Sequence, residues 1–118
     1  MKILLVEDDA PVAEFLAAAF QEAGHQPIVS HTGEEALRVL RQTPPDVVFL
    51  DLILPKMNGI QVLQLIRQID RALPVIIITG CPDRQDLEEA RRLGVTEVIE
   101  KPYVLKHYTD ALARVGSP

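Results

Sequence analysis

Five short apolar runs alternate with longer amphipathic stretches, and this alternation restricts the fold more than any other feature of the sequence. Each run has four or five residues, and the runs are ILLV (3–6), PIVS (27–30), VVFL (47–50), VIII (75–78) and VTEVI (95–99). Runs of this length and composition are typical of strands covered on both faces. Strands that alternate with helices form parallel sheets through right-handed crossovers. We therefore expect a (βα)5 domain of the α/β class, a doubly wound five-stranded parallel sheet with helices on both faces.

The stretches between the runs carry signals for the start and the inner face of helices. The first helix is predicted to open at Asp9 or Ala10, with Phe15 among the residues that face inward. Thr32 and Glu35 have the spacing of a capping box for the second helix. The last helix is predicted over residues 105–115. The chain has no internal repeat, low-complexity tract or internal linker.

Length, charge and cysteine content limit the class of protein. The 118 residues fit one compact domain, and a net charge of −5 argues against direct nucleic-acid binding by this chain. A single cysteine, Cys81, excludes an internal disulfide and fits a reducing cytosol. The N-terminal apolar run is too short for a signal peptide or a membrane span, so we expect a cytoplasmic domain with no membrane partner.

Charged and hydroxyl side chains follow four of the five predicted strands. They are Glu7 and Asp8 after the first, Asp51 after the third, Thr79 after the fourth and Lys101 after the fifth. Because ligands of open α/β sheets bind beyond the carboxyl ends of the strands, we expect these side chains to converge. The second run is the most polar and therefore a predicted edge strand, and it ends in His31-Thr32. The three histidines lack the spacing of metal ligands and are predicted to be surface or packing residues.

Three clustered carboxylates need a compensating charge. At about 5 Å apart and an effective dielectric near 20, each pair repels by roughly 3 kcal/mol. A divalent cation among the carboxylates, or a proton on one of them, removes this cost. Oxygen ligands without paired His or Cys indicate Mg²⁺ or Mn²⁺. Thr79 and Lys101 suit phosphoryl oxygens, and Asp51 is then left as the nucleophile of a phosphoryl-transfer site.

At these residues the chain closely resembles the receiver domain of two-component response regulators. The resemblance extends over essentially all 118 residues, and its strings are VEDD (6–9), DLILPKMNG (51–59), IIITG (76–80) and EKP (100–102). It implies the flavodoxin-like strand order 2-1-3-4-5. It also implies a receiver domain over residues 1–115, with 116–118 as a tail or the start of a linker.

The resemblance assigns a role to each acidic residue of the predicted site. It implies that Asp51 accepts a phosphoryl group from the phosphohistidine of a histidine kinase or phosphotransfer protein. Glu7, Asp8, Asp51 and the backbone carbonyl of Ile53 are implied to bind Mg²⁺ or Mn²⁺. Such a domain is a regulator rather than an enzyme, because it catalyses only its own phosphorylation and dephosphorylation.

The resemblance also implies how the signal is received and passed on. Thr79 and Lys101 match the hydroxyl and the lysine that contact the phosphate, and the Lys101-Pro102 bond is implied to be cis. The first helix around Ala13 to Ala17 is the expected docking surface for the kinase. The face formed by the fourth helix, fifth strand and fifth helix is the expected partner-binding face. A downstream effector is implied, either a domain after Pro118 or a separate protein.

One position departs from the pattern of the family and leaves an alternative open. The family often places Tyr or Phe three residues before the lysine, where this chain has Val98. The alternative is a receiver-like protein-interaction module that is not phosphorylated. A third hypothesis, a Mg²⁺-dependent hydrolase on a related fold, requires a cap over the substrate. The chain has no insertion long enough to form one.

Overall fold

The computed structural model describes residues 1–80 and 83–115. Predictions that concern Cys81 and residues 116–118 lie outside these residues. Strands and helices alternate strictly as β1 (Lys2–Val6), α1 (Ala10–Glu22), β2 (Gln26–Ser30), α2 (Gly33–Gln42), β3 (Val47–Asp51), α3 (Gly59–Ile69), β4 (Val75–Thr79), α4 (Arg84–Arg92), β5 (Glu97–Glu100) and α5 (Val104–Val115). Within the described ranges, no helix has both the length and the apolarity needed to cross a membrane.

The five strands form one parallel sheet in the order β2-β1-β3-β4-β5. This confirms the predicted (βα)5 class, the strand order and the edge position of β2. The prediction for the last strand was displaced, because β5 begins at Glu97 rather than at Val95. Gly94 has a φ of +77°, so the chain is still turning out of α4 at that point. Thr96 N–H nevertheless donates to the Val75 carbonyl at 2.8 Å, just before the strand begins.

Two apolar layers cover the two faces of the sheet. On one face the sheet packs against α1 and α5, where the ring of Phe20 in α1 is centred 4.9 Å from the ring of Phe49 in β3. On the other face it packs against α2, α3 and α4, with Leu37, Leu63 and Ala90 among the contacts. Because both faces are covered, the central strands β3 and β4 are buried at every position.

The helices α1 to α4 begin at side-chain caps that the sequence signals partly anticipated. Asp9 accepts the Val12 N–H at the start of α1, and Thr32 accepts the Glu35 N–H at the start of α2. Among the described helices, the reciprocal capping box is found at α3 and not, as predicted, at α2. There, the Asn58 side chain accepts the Gln61 N–H at 2.9 Å and the Gln61 side chain accepts the Asn58 N–H at 3.0 Å.

The buried face of α1 differs from the predicted one at Phe15. The buried residues of this helix are Ala13, Leu16 and Phe20, whose spacings of three and four define a narrow stripe. Phe15 lies about 100° from Leu16 around the helix axis and is 63% exposed. The prediction that Phe15 faces inward was therefore wrong, and the helix presents an aromatic side chain to solvent.

Arg67 of α3 links two connecting segments at the end of the sheet opposite to the carboxyl ends of the strands. Its guanidinium donates to the carbonyls of Leu93 at 2.6 Å, Leu73 at 2.8 Å, Asp70 at 3.1 Å and Gly94 at 3.2 Å. These carbonyls belong to the turn after α4 and to the segment between α3 and β4. The contact therefore fixes the carboxyl end of α4 against α3.

Candidate functional site

The acidic residues predicted to converge do lie together at the carboxyl ends of β1 and β3. Oxygen atoms of Glu7, Asp8 and Asp51 all lie within 4.8 Å of one another. Glu7 and Asp51 are buried, whereas Asp8 is exposed. The strand order explains the cluster, because β1 and β3 are neighbours and end at the same edge of the sheet.

Lys101 bridges two of these carboxylates. Its Nζ donates to Oδ2 of Asp51 at 2.8 Å and forms an ion pair with Oε1 of Glu7. Lys101 follows β5, so its side chain crosses the end of β4 to reach β3. The backbone supports this position, since Lys101 N–H donates to the Thr79 carbonyl at 2.8 Å. The lysine is thus paired with two carboxylates, which the sequence interpretation did not anticipate.

Burial changes the proton affinity of Glu7. Loss of solvent around the carboxylate raises the pKa of Glu7 from 4.5 to about 7. Lys101 opposes this rise, and the nearby Asp51 adds to it. Burial lowers the pKa of Lys101, but its hydrogen bonds to Asp51 and Glu7 outweigh burial and the net shift is upward. Lys101 therefore stays charged, and Glu7 is the carboxylate that takes up a proton near neutral pH.

Thr79 ends β4 with its hydroxyl buried. The residue is 1% exposed, and within residues 1–80 and 83–115 its Oγ1 has no hydrogen-bond partner. A buried hydroxyl without a partner costs about 1–3 kcal/mol. The hydroxyl is therefore available to a ligand at the rim of the sheet.

The loop after Asp51 holds the carboxylate from its other side. Ile53 N–H donates to Oδ1 of Asp51 at 3.0 Å, while Lys101 occupies Oδ2. The Ile53 side chain is 60% exposed. Gly59 packs against the backbone of Asp51 and Leu52 so closely that a Cβ there would overlap their atoms. This close approach of Gly59 to Asp51 is evident only in the folded chain.

The same loop contains a strained turn. Met57 N–H donates to the Pro55 carbonyl at 2.7 Å, and the intervening Lys56 has a φ of +67°. A γ-turn with positive φ at its central residue is rare and costs energy for a residue with a side chain. The strain lies five residues after the buried carboxylate of Asp51.

His31 is a neighbour of the site that sequence analysis classed as a surface or packing residue. Its Nδ1 lies 2.9 Å from the carbonyl oxygen of Glu7. A carbonyl oxygen only accepts hydrogen bonds, so Nδ1 is the protonated donor. The signal in the sequence was its position directly after β2, at the same edge of the sheet as the acidic residues.

The remaining predictions concern Val98 and the bond that follows Lys101. Val98 lies in β5 and packs, partly buried, against the layer formed by α2, α3 and α4. The Lys101-Pro102 peptide bond is cis, as the resemblance implied.

The donor chemistry of the site fits a small hard cation. The cluster consists of three carboxylates with no His or Cys among its members, and two of the three are buried. Mg²⁺ and Mn²⁺ prefer such oxygen donors, and a cation removes the need to protonate Glu7. The residues present therefore fit the predicted metal.

Comparison of the sequence with known families gives a match over nearly the whole chain. Residues 3–113 match the family described as Response regulator receiver domain. The chain is 37% identical over 114 residues to the DNA-binding response regulator MtrA of Mycobacterium tuberculosis, covering 97% of this chain and 48% of MtrA. The chain thus spans about half the length of that relative. It is 31% identical to sporulation initiation phosphotransferase F of Bacillus subtilis, covering 96% of this chain and 91% of that protein.

Solved structures agree with these sequence matches. The non-phosphorylated HemR receiver domain of Leptospira biflexa is 33% identical, with a TM-score of 0.90 and coverage of 99% of this chain and 94% of HemR. The chemotaxis protein CheY4 of Vibrio cholerae has a TM-score of 0.89 at 24% identity, over 97% of both chains. The CheY4 match establishes the likeness of fold alone.

Proposed function

Because the chain belongs to the response regulator receiver domain family of two-component systems, we propose that it is a signalling switch phosphorylated on Asp51. The donor is the phosphohistidine of a histidine kinase or phosphotransfer protein, and the reaction depends on Mg²⁺. The observation that carries this proposal is the buried carboxylate of Asp51, held between the Lys101 ammonium and the Ile53 N–H beside two further acids.

The proposed transfer is an in-line displacement. A carboxylate oxygen of Asp51 attacks phosphorus, the P–N bond of the phosphohistidine breaks, and its electron pair returns to the imidazole. Glu7, Asp8, Asp51 and the Ile53 carbonyl would hold Mg²⁺, which supplies positive charge to the phosphoryl oxygens. Lys101 then moves with the charge from the Asp51 carboxylate to the phosphoryl group. The chain acts as a regulator, catalysing only its own phosphorylation and dephosphorylation.

The proposed output is a change of the face formed by α4, β5 and α5. The free hydroxyl of Thr79 is drawn to the phosphoryl group, and the backbone bond from Lys101 N–H to the Thr79 carbonyl passes this movement to β5. A surface groove of about 370 Å³ runs between β5 and α5, crossed by an ion pair between Glu97 and Arg114. We expect phosphorylation to change which partner binds in this groove. The partner is an effector protein, or a domain that follows in a longer chain.

The proposed docking surface for the phosphohistidine protein lies on α1. An apolar groove of about 380 Å³ runs between α1 and the segment that begins at Lys101, and Phe15 and Leu105 line it. Ala13 is buried in the core, so the expected surface around Ala13 to Ala17 is centred instead on Phe15. Lys101 lines this groove and also contacts Asp51, which brings a docked donor next to the acceptor.

A cytoplasmic location of the protein stays a prediction.

Labelling with a small phosphodonor tests the proposal. Acetyl phosphate or phosphoramidate with Mg²⁺ is expected to add one phosphoryl group, measured by intact mass. Asp51→Asn should abolish the addition with the fold intact, whereas Asp110→Asn, at an exposed position of α5, should retain it. An unlabelled wild-type protein, or a labelled Asp51→Asn protein, contradicts the proposal.

The alternative is a receiver-like interaction module that is not phosphorylated, and Val98 is the observation that favours it. Without an aromatic side chain at this position, the switch lacks the rotamer change that many receivers use. A Mg²⁺ titration followed by NMR separates the two. The switch requires amide shifts near Glu7, Asp8 and Asp51 at millimolar Mg²⁺, and a spectrum without shifts supports the module.

A further inference from the structure

The backbone of Glu7 is tied to the end of β2 by two hydrogen bonds. Glu7 N–H donates to the Ser30 carbonyl at 3.0 Å, and the Glu7 carbonyl accepts from Nδ1 of His31 at 2.9 Å. The first bond continues the ladder between β1 and β2. The second comes from the His31 side chain, and its acceptor is the first carbonyl after the end of β1.

The Glu7 carbonyl belongs to the peptide group that carries Asp8. Across the described residues, no hydrogen bond or ion pair holds the exposed Asp8 carboxylate. Its position therefore depends on the backbone that precedes it. The peptide group is planar, so a donor that fixes the direction of the Glu7 carbonyl also fixes the direction of the Asp8 N–H bond.

Neighbouring contacts do not replace this bond. Asp9 N–H donates to Oε2 of Glu7 at 3.2 Å and holds the side chain of Glu7 rather than its carbonyl. Lys101 contacts the same side chain through Oε1. Because β2 is an edge strand in the described sheet, no further strand lies beyond it to support the turn. Among the described side chains, His31 alone orients the peptide between the two acids.

We propose that His31 is a positioning residue for the divalent-cation site: its Nδ1–H holds the Glu7 carbonyl and thereby sets the peptide that carries Asp8. The inference rests on the proposed function, since it assumes that Glu7 and Asp8 bind Mg²⁺. Side chains that hold metal ligands in place from outside the coordination shell typically change metal affinity about 10–100-fold when removed.

Asparagine and glutamine distinguish this role from general packing. The side chain introduced by His31→Asn would carry an amide N–H at nearly the distance from the backbone that Nδ1 has, whereas His31→Gln would place it one bond farther out. We expect His31→Asn to keep the Mg²⁺ dissociation constant of the wild type within about twofold. His31→Gln and His31→Ala should each raise it about tenfold.

The experiment is a Mg²⁺ titration of each variant, followed through the amide resonances of Asp8 and Asp51 by NMR. His25→Asn is the matched control, because His25 precedes β2 whereas His31 follows it. In the wild type, the neutral His31 ring should show the ¹⁵N pattern of a protonated Nδ1 and a bare Nε2. Equal dissociation constants for the Asn and Gln variants, or an Nε2-protonated ring, overturn the inference.

Failure of the inference is separable from failure of the proposed function. If the amide resonances of the wild-type protein do not shift with Mg²⁺, the proposed function is wrong, and so is the premise that Glu7 and Asp8 bind the cation. If the wild type binds Mg²⁺ and a folded His31→Ala variant binds it equally well, only the proposed role of His31 is wrong. If His31→Ala does not fold, the Mg²⁺ dissociation constants of the His31→Asn and His31→Gln variants still test whether His31 positions the Glu7 carbonyl.

Discussion

Replacing Glu7 by glutamine should stabilise the metal-free protein, and the gain should grow with pH. The Glu7 carboxylate is fully buried, and burial raises its pKa from 4.5 to about 7. Between these two values the folded protein binds a proton that the unfolded chain has lost. Stability therefore falls as pH rises through this range, by linkage between protonation and folding.

The magnitude follows from the size of the shift. A change from 4.5 to about 7 is about 2.5 pH units, and at 1.36 kcal/mol per unit this corresponds to about 3 kcal/mol. The cost is missing below pH 4.5, where the carboxyl is protonated in both states, and complete above pH 7. Glu7→Gln replaces the carboxyl with a neutral group of the same shape, so the variant avoids the cost at every pH.

The assay is urea unfolding in EDTA at intervals from about pH 4 to about pH 8. The free energy of unfolding of Glu7→Gln minus that of the wild type should increase by about 3 kcal/mol across this range. Groups that do not interact with Glu7 titrate alike in both proteins and cancel in the difference. Glu14→Gln, at an exposed position of α1, is the matched control for replacing a carboxyl group with an amide. A difference that stays constant with pH refutes the reasoning, because the carboxyl of Glu7 would then have the same pKa in the folded and unfolded states.

Substitutions at three positions away from the titrating group test other contacts by urea unfolding. Gly59→Ala should cost about 3 kcal/mol, because a Cβ overlaps the backbone of Asp51, and a cost under about 1 kcal/mol contradicts the close approach. Arg67→Lys should cost about 2 kcal/mol, since lysine cannot reach the four carbonyls that the guanidinium binds; a neutral result means that water replaces those bonds. Lys56→Val should cost about 1 kcal/mol while Lys56→Gly stays near wild type, because φ at this position is +67°; equal stabilities would deny the strain.

Local sequence patterns sufficed for the elements and for the convergence of the acids. Apolar runs of strand length located β1 and β3, and the rule for the carboxyl ends of parallel strands brought Glu7, Asp8 and Asp51 to one edge. Both steps need only the period of the pattern and the alternation of strands with helices. The ends of elements were less accurate, as for β5, because the last turn of a helix and its connection have no strong period.

Contacts between distant segments could not be predicted in this way. The ring of His31 meets the Glu7 carbonyl, and Gly59 meets the Asp51 backbone, only once the loops have folded over the sheet. The sequence suggested phosphate as the partner of Lys101. Its contact with two carboxylates across β4 depends on side-chain conformation, which the sequence pattern does not specify. The raised pKa of Glu7 follows from burial, which the pattern of charges alone does not reveal.

The charges of the site indicate why the proposed phosphorylation would need a divalent cation. Glu7, Asp8 and Asp51 contribute −3 when ionised, and Lys101 contributes +1, so the ionised cluster carries −2. A divalent cation matches this charge, whereas a proton on Glu7 removes only half of it. A phosphoryl group on Asp51 replaces a charge of −1 with one of about −2. Without the cation, the product would carry about −3, with the buried Glu7 carboxylate included in that sum. Protons, a metal ion and the Lys101 ammonium would therefore compete for the same oxygens.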